Sequence, residues 1–422
     1  MDYKNEITRL ASEHHINSSE FNGLACRVIL REFDLTLDQL KNSLKELIQE
    51  DKISINFGDR HPNPYIKALP EEPAETQIAK LDASNLEHVC VYPSRTRLAE
   101  IVDTSKYENQ PFTLRLALGE AQLALASFDL TVLEVYRNDP RYYYINDDIS
   151  GSISITDEYY QSAAMSEADK VLLESFGFAY DSDFNRAVCV CLRYLTRLSP
   201  EHQQIWKSKE LQGEYKPHPD YYRQIIGDWG IGISIFDAFI EELKHINAIC
   251  QLIGRPNLFR EDFKDKRKPR EFSFLIRPTL KEFNDFIHLL DKLLSDNINR
   301  KFFLNDVSFE REEERGDGKI VIHPKGTVQI LEEWLRLKLK AEDPDPIDYI
   351  INPLKKIRKL RQRPAHAVDD NVFNQEYFKE QRELIMEAYD SLNLIRHFLN
   401  NHPKARSYKI PDNLDSGKIW VY

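Results

Sequence analysis

Cysteine is scarce. The 422-residue chain holds five, Cys26, Cys90, Cys189, Cys191 and Cys250, an odd number with no framework spacing. That excludes a disulfide-stapled secreted scaffold and reads as a reducing, cytoplasmic setting. Cys189 and Cys191 lie two apart in an expected helix, point in different directions, and read as small buried hydrophobes rather than ligands. Long apolar runs are missing too: no stretch reaches membrane-spanning length, and the opening residues do not read as a signal peptide. Positive charge is in deficit. Lys and Arg number 57 against 69 Asp and Glu, a formal net charge of −12. A surface coated by nucleic acid needs the opposite balance, so only a local basic patch remains open. Reactive signatures are thin as well. No paired histidines stand at helical zinc spacing with a glutamate, and His14 and His15 are adjacent and diverge. Nucleophile-elbow and kinase signatures are lacking. Gly227, Gly230 and Gly232 lack the strand–loop–helix setting and the Lys-Ser/Thr of a phosphate loop. No metal or cofactor is expected.

What is present is apolar and aromatic material for sizeable cores, with 41% hydrophobic residues, 22 Phe and 20 Tyr. The length implies two to four domains. The expected fold class is mostly α with a β-containing middle, in a multidomain chain. Residues 1–70 read as three helices and a short extended element. Asn17-Ser18-Ser19-Glu20 and Thr36-Leu37-Asp38-Gln39 are capping-box patterns. The second opens a helix with Leu37, Leu40, Leu44, Leu47 and Ile48 on one face, and Ile53-Ser54-Ile55 follows. This segment resembles a winged-helix domain, which implies DNA binding or, alternatively, a protein-contact scaffold. Nine Lys/Arg against eleven Asp/Glu in residues 1–70 weigh against DNA.

Residues 71–110 read as a linker and 111–160 as a β-rich segment. Its strand candidates are Phe112–Leu118, Tyr142–Ile145 and Ile153–Ile155. Arg137, Asp139 and Arg141 read as a capped turn with paired arginines. Residues 161–265 read as a helical middle domain, with Ala187, Val190, Cys191, Tyr194, Leu195 and Leu198 as a helical stripe. The three glycines at 227–232 predict a bend or break.

From residue 275 to 405 the pattern is a four-helix bundle, followed by a tail, 406–422. The first helix carries Phe283, Phe286, Ile287, Leu290, Leu293 and Leu294, and the second starts near Thr327 with Val328, Leu331, Trp334 and Leu335 inward. Between them Glu310–Glu314 reads as a solvated acidic loop. The third helix begins near Ile347 and buries Ile350, Ile351, Leu354 and Ile357; the fourth spans about 373–400. Four residues beyond Ile357 stands Arg361. An arginine on a core-facing stripe needs a partner or a task.

Arg361 opens the stretch Arg361-Gln362-Arg363-Pro364-Ala365-His366, preceded by the basic run Lys355, Lys356, Arg358 and Lys359. Arginine, four residues, then histidine, late on the third helix of such a bundle, resembles the HEPN superfamily, many of whose members are metal-independent ribonucleases. That resemblance implies Arg361 as a phosphate clamp, His366 as general acid or base, and Gln362 at the family's polar position. It also implies Arg358, Lys359 and Arg363 as contacts to the RNA backbone, a homodimer, and toxin or phage-defence biology. Gln362 and Pro364 depart from the commonest pattern; Pro364 has no N–H to give the Leu360 carbonyl, so the helix kinks or stops there. A reading from another class is a non-catalytic interaction, dimerisation or transcription-regulatory protein, favoured if Arg361 is neutralised by a carboxylate of its own chain and His366 is buried.

Overall fold

The computed structural model describes residues 3–228, 232–264, 267–314, 316, 320–339, 345–362, 370–415 and 419–421. About half of the chain is helical, with several small sheets. None of the described helices is long and apolar enough to cross a membrane. The chain divides into two compact units, Met1–Ile145 with Ile149–Gly230 and Asn146–Asp148 with Ile231–Tyr422.

The first unit opens with α1 (Tyr3–Asn17), β1 (Leu24–Ala25), α2 (Cys26–Phe33), α3 (Leu37–Gln49) and β2 (Ile53–Asn56). β3 (Cys90–Pro93) completes an antiparallel sheet of order β1-β3-β2. Thr36 caps α3 as the sequence predicts: its Oγ1 accepts the Gln39 N–H at 3.3 Å while its own N–H donates to Gln39 Oε1 at 2.9 Å. The other capping pattern starts no helix. α1 ends at Asn17, Ser18 Oγ accepts the Asn22 N–H at 2.7 Å, and Glu20 is drawn to Arg193 at 2.6 Å. Nor is 71–110 a linker. It supplies β3 and α4 (Ala74–Ala83), which is tied to β2 by the Ile55 N–H donating to Gln77 Oε1 at 2.8 Å. Ile7, Ile29, Leu40, Leu44 and Val91 are among the residues that fill this core.

A second sheet joins β4 (Leu125–Phe128), β5 (Tyr142–Asn146), β6 (Ser150–Ile155), β7 (Leu172–Tyr180), β8 (Arg186–Cys191) and β9 (Lys216–Pro217). Its order is β4-β8-β7-β6-β5, with β9 on β7. Two readings need correction. Phe112–Leu118 is not a strand but lies largely in α5 (Pro111–Ala117). Pro111 sits at the first turn, where its missing N–H costs nothing, and Phe112, Thr113, Leu116 and Ala117 are buried. The stripe from Ala187 begins as strand: Ala187, Val190 and Cys191 lie in β8, and only Tyr194 and Leu195 fall in a short helix, Leu192–Leu195. Ala187 to Cys191 are all buried, and an apolar run covered on both faces imitates a helix core. Residues 161–265 are therefore not uniformly helical. Asp139 does cap its turn, accepting the Arg141 N–H at 2.9 Å and pairing with its guanidinium at 2.6 Å.

The second unit contains β10 (Ile233–Ser234), α6 (Ile235–Leu252), α7 (Leu280–Leu293), α8 (Thr327–Lys338), α9 (Asp345–Gln362) and α10 (Glu376–Asn400). α7 to α10 fall where the apolar stripes predict, and α6 packs along α10. The break before α6 falls in the glycine-interrupted stretch. Glu310–Glu314 is a correction: it forms strand β11, paired with β12 (Ile320–Pro324), although every residue of it is exposed as a solvated segment should be. In the tail, β13 (Ile419–Trp420) pairs in parallel with β10. α9 runs through Pro353, which cannot donate to the Tyr349 carbonyl.

Candidate functional site

α9 packs against α7, α8 and α10 through Ile347, Ile350, Ile351, Leu354 and Ile357, all buried. The same face carries Arg361 to the end of α7. There the Asp296 N–H folds back to the Asp291 carbonyl at 3.1 Å, which brings two carboxylates together at a helix C-terminus. Negative charge is disfavoured at that end of a helix dipole, and more so when buried. Asp291 is fully buried. Arg361 supplies the compensating cation: its Nη1 donates to Asp291 Oδ2 at 2.5 Å and to Asp296 Oδ2 at 2.6 Å. These two hydrogen bonds raise the guanidinium pKa above its ordinary value. Its side chain keeps 30% exposure. Arg358 adds a second cation 3.7 Å from Asp296 Oδ1. Among the described residues, the buried atoms Asp291 Oδ1 and Ser295 Oγ have no hydrogen-bond partner.

The rest of the basic run is largely engaged by the chain's own acids. Lys355 pairs with Glu332 at 2.6 Å and Lys356 with Glu387 at 2.8 Å. Lys359 is exposed and, among the described residues, forms no ion pair; Gln362 is exposed at the end of α9. Arg363, Pro364 and His366 lie outside the described residues. The structure thus gathers Arg358 and Arg361 about two acids, and the expected Arg361–His366 juxtaposition lies beyond what it describes.

Sequence reasoning missed both acids. The signal was present: Asp291 stands four residues after Ile287, on the apolar stripe of α7, as Arg361 stands on that of α9. Two opposite charges on two core-facing stripes call for each other. A second pair of this kind also went unread. Glu242 of α6 and Arg396 of α10 meet at 2.6 Å, both essentially without exposure. The Asn393 amide donates to the other Glu242 oxygen at 3.1 Å.

No family model matches the chain, and no curated protein and no solved structure gives a significant match to it.

Proposed function

We propose that residues 275–405, within the second unit, form a HEPN-type endoribonuclease bundle, and that the whole chain is a regulated effector of the toxin or phage-defence kind. One observation supports this reading. Arg361 ends the core-facing stripe of α9, both its carboxylate bonds fall on Nη1, and about a third of its side chain stays exposed. A guanidinium has five N–H donors, so fixing one nitrogen orients the group in advance and leaves other donors for a phosphate. In the proposed reaction a ribose 2′-hydroxyl attacks the adjacent phosphorus and the 5′-oxygen leaves, giving a 2′,3′-cyclic phosphate. His366 takes the hydroxyl proton or supplies one to the leaving oxygen, and Arg361 faces the charge that develops on the phosphorane. Two copies acting together belong to the same proposal.

A specific observation favours a second reading, an interaction or dimerisation protein. Arg361 is neutralised within its own chain, and buried Asp291 needs that cation for structural reasons alone. The first unit bears on it as well. Three helices with a β1-β3-β2 sheet support the winged-helix likeness. Yet the ammonium of Lys41 donates to the Asp82 carbonyl at 3.1 Å, and Lys45 pairs with the Asp82 carboxylate, both at the end of α4. Cations of α3 spent on the chain's own α4 favour protein contacts over a DNA groove.

The experiment is RNA cleavage by the purified chain in EDTA, with Arg361→Ala and His366→Ala beside it and a thermal melt of each. The ribonuclease reading expects His366→Ala to melt like wild type and to lose about 10²–10⁴-fold in rate. A His366→Ala protein that cleaves as well as wild type supports the second reading. So does an Arg361→Ala protein whose only defect is instability.

A further inference from the structure

An uncovered hairpin rises from the second unit between a 3₁₀ turn, Arg300–Phe303, and α8. Its base is fixed. The Lys325 N–H donates to the Phe309 carbonyl at 2.8 Å, Arg300 Nη2 donates to the Lys325 carbonyl at 2.8 Å, and the Lys325 ammonium pairs with Glu333 at 2.6 Å. Its blade is bare. All of β11 is exposed, and on β12 Ile320 is 63% and Ile322 57% exposed. A lone two-stranded hairpin is marginal in water, and a third strand or a packed helix is the usual remedy.

We propose that this hairpin is a self-pairing arm that joins two copies of the chain, edge to edge, through β12. The two edges differ in what they accept. β11 reads Glu-Arg-Glu-Glu-Glu, so two copies of it repel. β12 reads Ile-Val-Ile-His-Pro, with no acid and three β-branched residues in a row. Around a two-fold axis a strand meets itself antiparallel. An axis at Val321 sets each Ile320 opposite the partner's Ile322. Within one hairpin, Ile320 faces Glu314 and Ile322 faces Glu312 across the ladder, so both isoleucines lie on one face. Pairing therefore gathers four isoleucines at the centre of a four-stranded sheet of order β11-β12-β12-β11. The acidic strands become the outer edges, where charge blocks a third copy, so assembly closes at two. A chain of net charge −12 gains from meeting itself at a neutral strand. One short strand buries little area, so association depends on concentration. The proposal holds whichever role Arg361 has.

Sedimentation equilibrium across a micromolar concentration series tests it. Wild type is expected to rise from 49.6 kDa toward twice that mass. Ile320→Lys with Ile322→Lys stays at one chain, with an unchanged melt because the blade is exposed. Placement is tested separately with a short bis-maleimide, since all five native cysteines are buried. Val321→Cys cross-links two copies and Glu312→Cys, on the outer strand, does not. A wild type that stays at one chain throughout overturns the proposal. A dimer that survives the lysine pair, or one that cross-links through Glu312→Cys as readily as through Val321→Cys, overturns it equally.

Discussion

His15 is 1% exposed, set against the rings of Phe21 and Tyr92. Burial, with Lys67 nearby, pulls its pKa down from 6.5 to about 4. The unfolded chain therefore takes up a proton near pH 6.5 that the folded chain refuses until about pH 4. Stability is lost as pH falls through that window, at about 1.4 kcal/mol per pH unit from this group. Urea denaturation of wild type is expected to show about 2 kcal/mol lost between pH 6.5 and pH 5 from His15 alone. His15→Phe, which keeps a ring in the site, flattens that dependence. Burial lowers the pKa of His218 and His245 as well, so a smaller slope remains in the variant. Equal slopes in the two proteins would show that His15 is not the group refusing the proton.

Between α6 and α10 a buried ion pair sits within an otherwise apolar contact. Glu242 and Arg396 are buried together, each on a stripe otherwise made of Phe239, Leu243, Ile246, Leu392, Ile395 and Leu399. Breaking such a pair from one side strands a charge, whereas replacing both sides with apolar residues is close to neutral. Glu242→Gln or Arg396→Met alone is expected to cost about 3–5 kcal/mol, and Glu242→Leu with Arg396→Met to recover most of it. Denaturant midpoints decide this: a double variant as unstable as the sum of the singles rules out charge stranding as the cause. The same helices show what a sequence exposes to reading. α7 to α10 are legible because each hides one face and wets the other, which leaves a 3.6-residue rhythm. β8 hides both faces and leaves only an apolar run, so its alternation is invisible. α5 is too short for its rhythm to stand out against alternation, and only Pro111 marks it. At the candidate site Arg361 is legible as a charge on the wrong face. Asp291 is legible in the same way on the stripe of α7, but Asp296 is not, because it lies beyond the end of that helix and outside its rhythm.

At the scale of the whole chain there are two compact units, each with buried apolar residues of its own. Leu44 lies in the core under α3, and Leu290 in the bundle under α7; each is fully buried. Folding free energy drawn from two interiors need not be lost in one step, because all-or-none unfolding is a property of single small domains. Calorimetry is therefore expected to resolve two transitions. Leu44→Ala and Leu290→Ala should each cost about 2–5 kcal/mol through lost burial and the cavity left behind. For units of this size that lowers a transition by about 5–15 °C. Leu290→Ala should shift only the transition that also responds to Arg396→Met. Leu44→Ala should shift only the one whose midpoint falls with acid through His15. If either leucine variant moves both transitions together, or only one transition exists and both variants lower it, the units unfold as one. Leu44→Ala would then weaken the ion pairs of the second unit along with its own core.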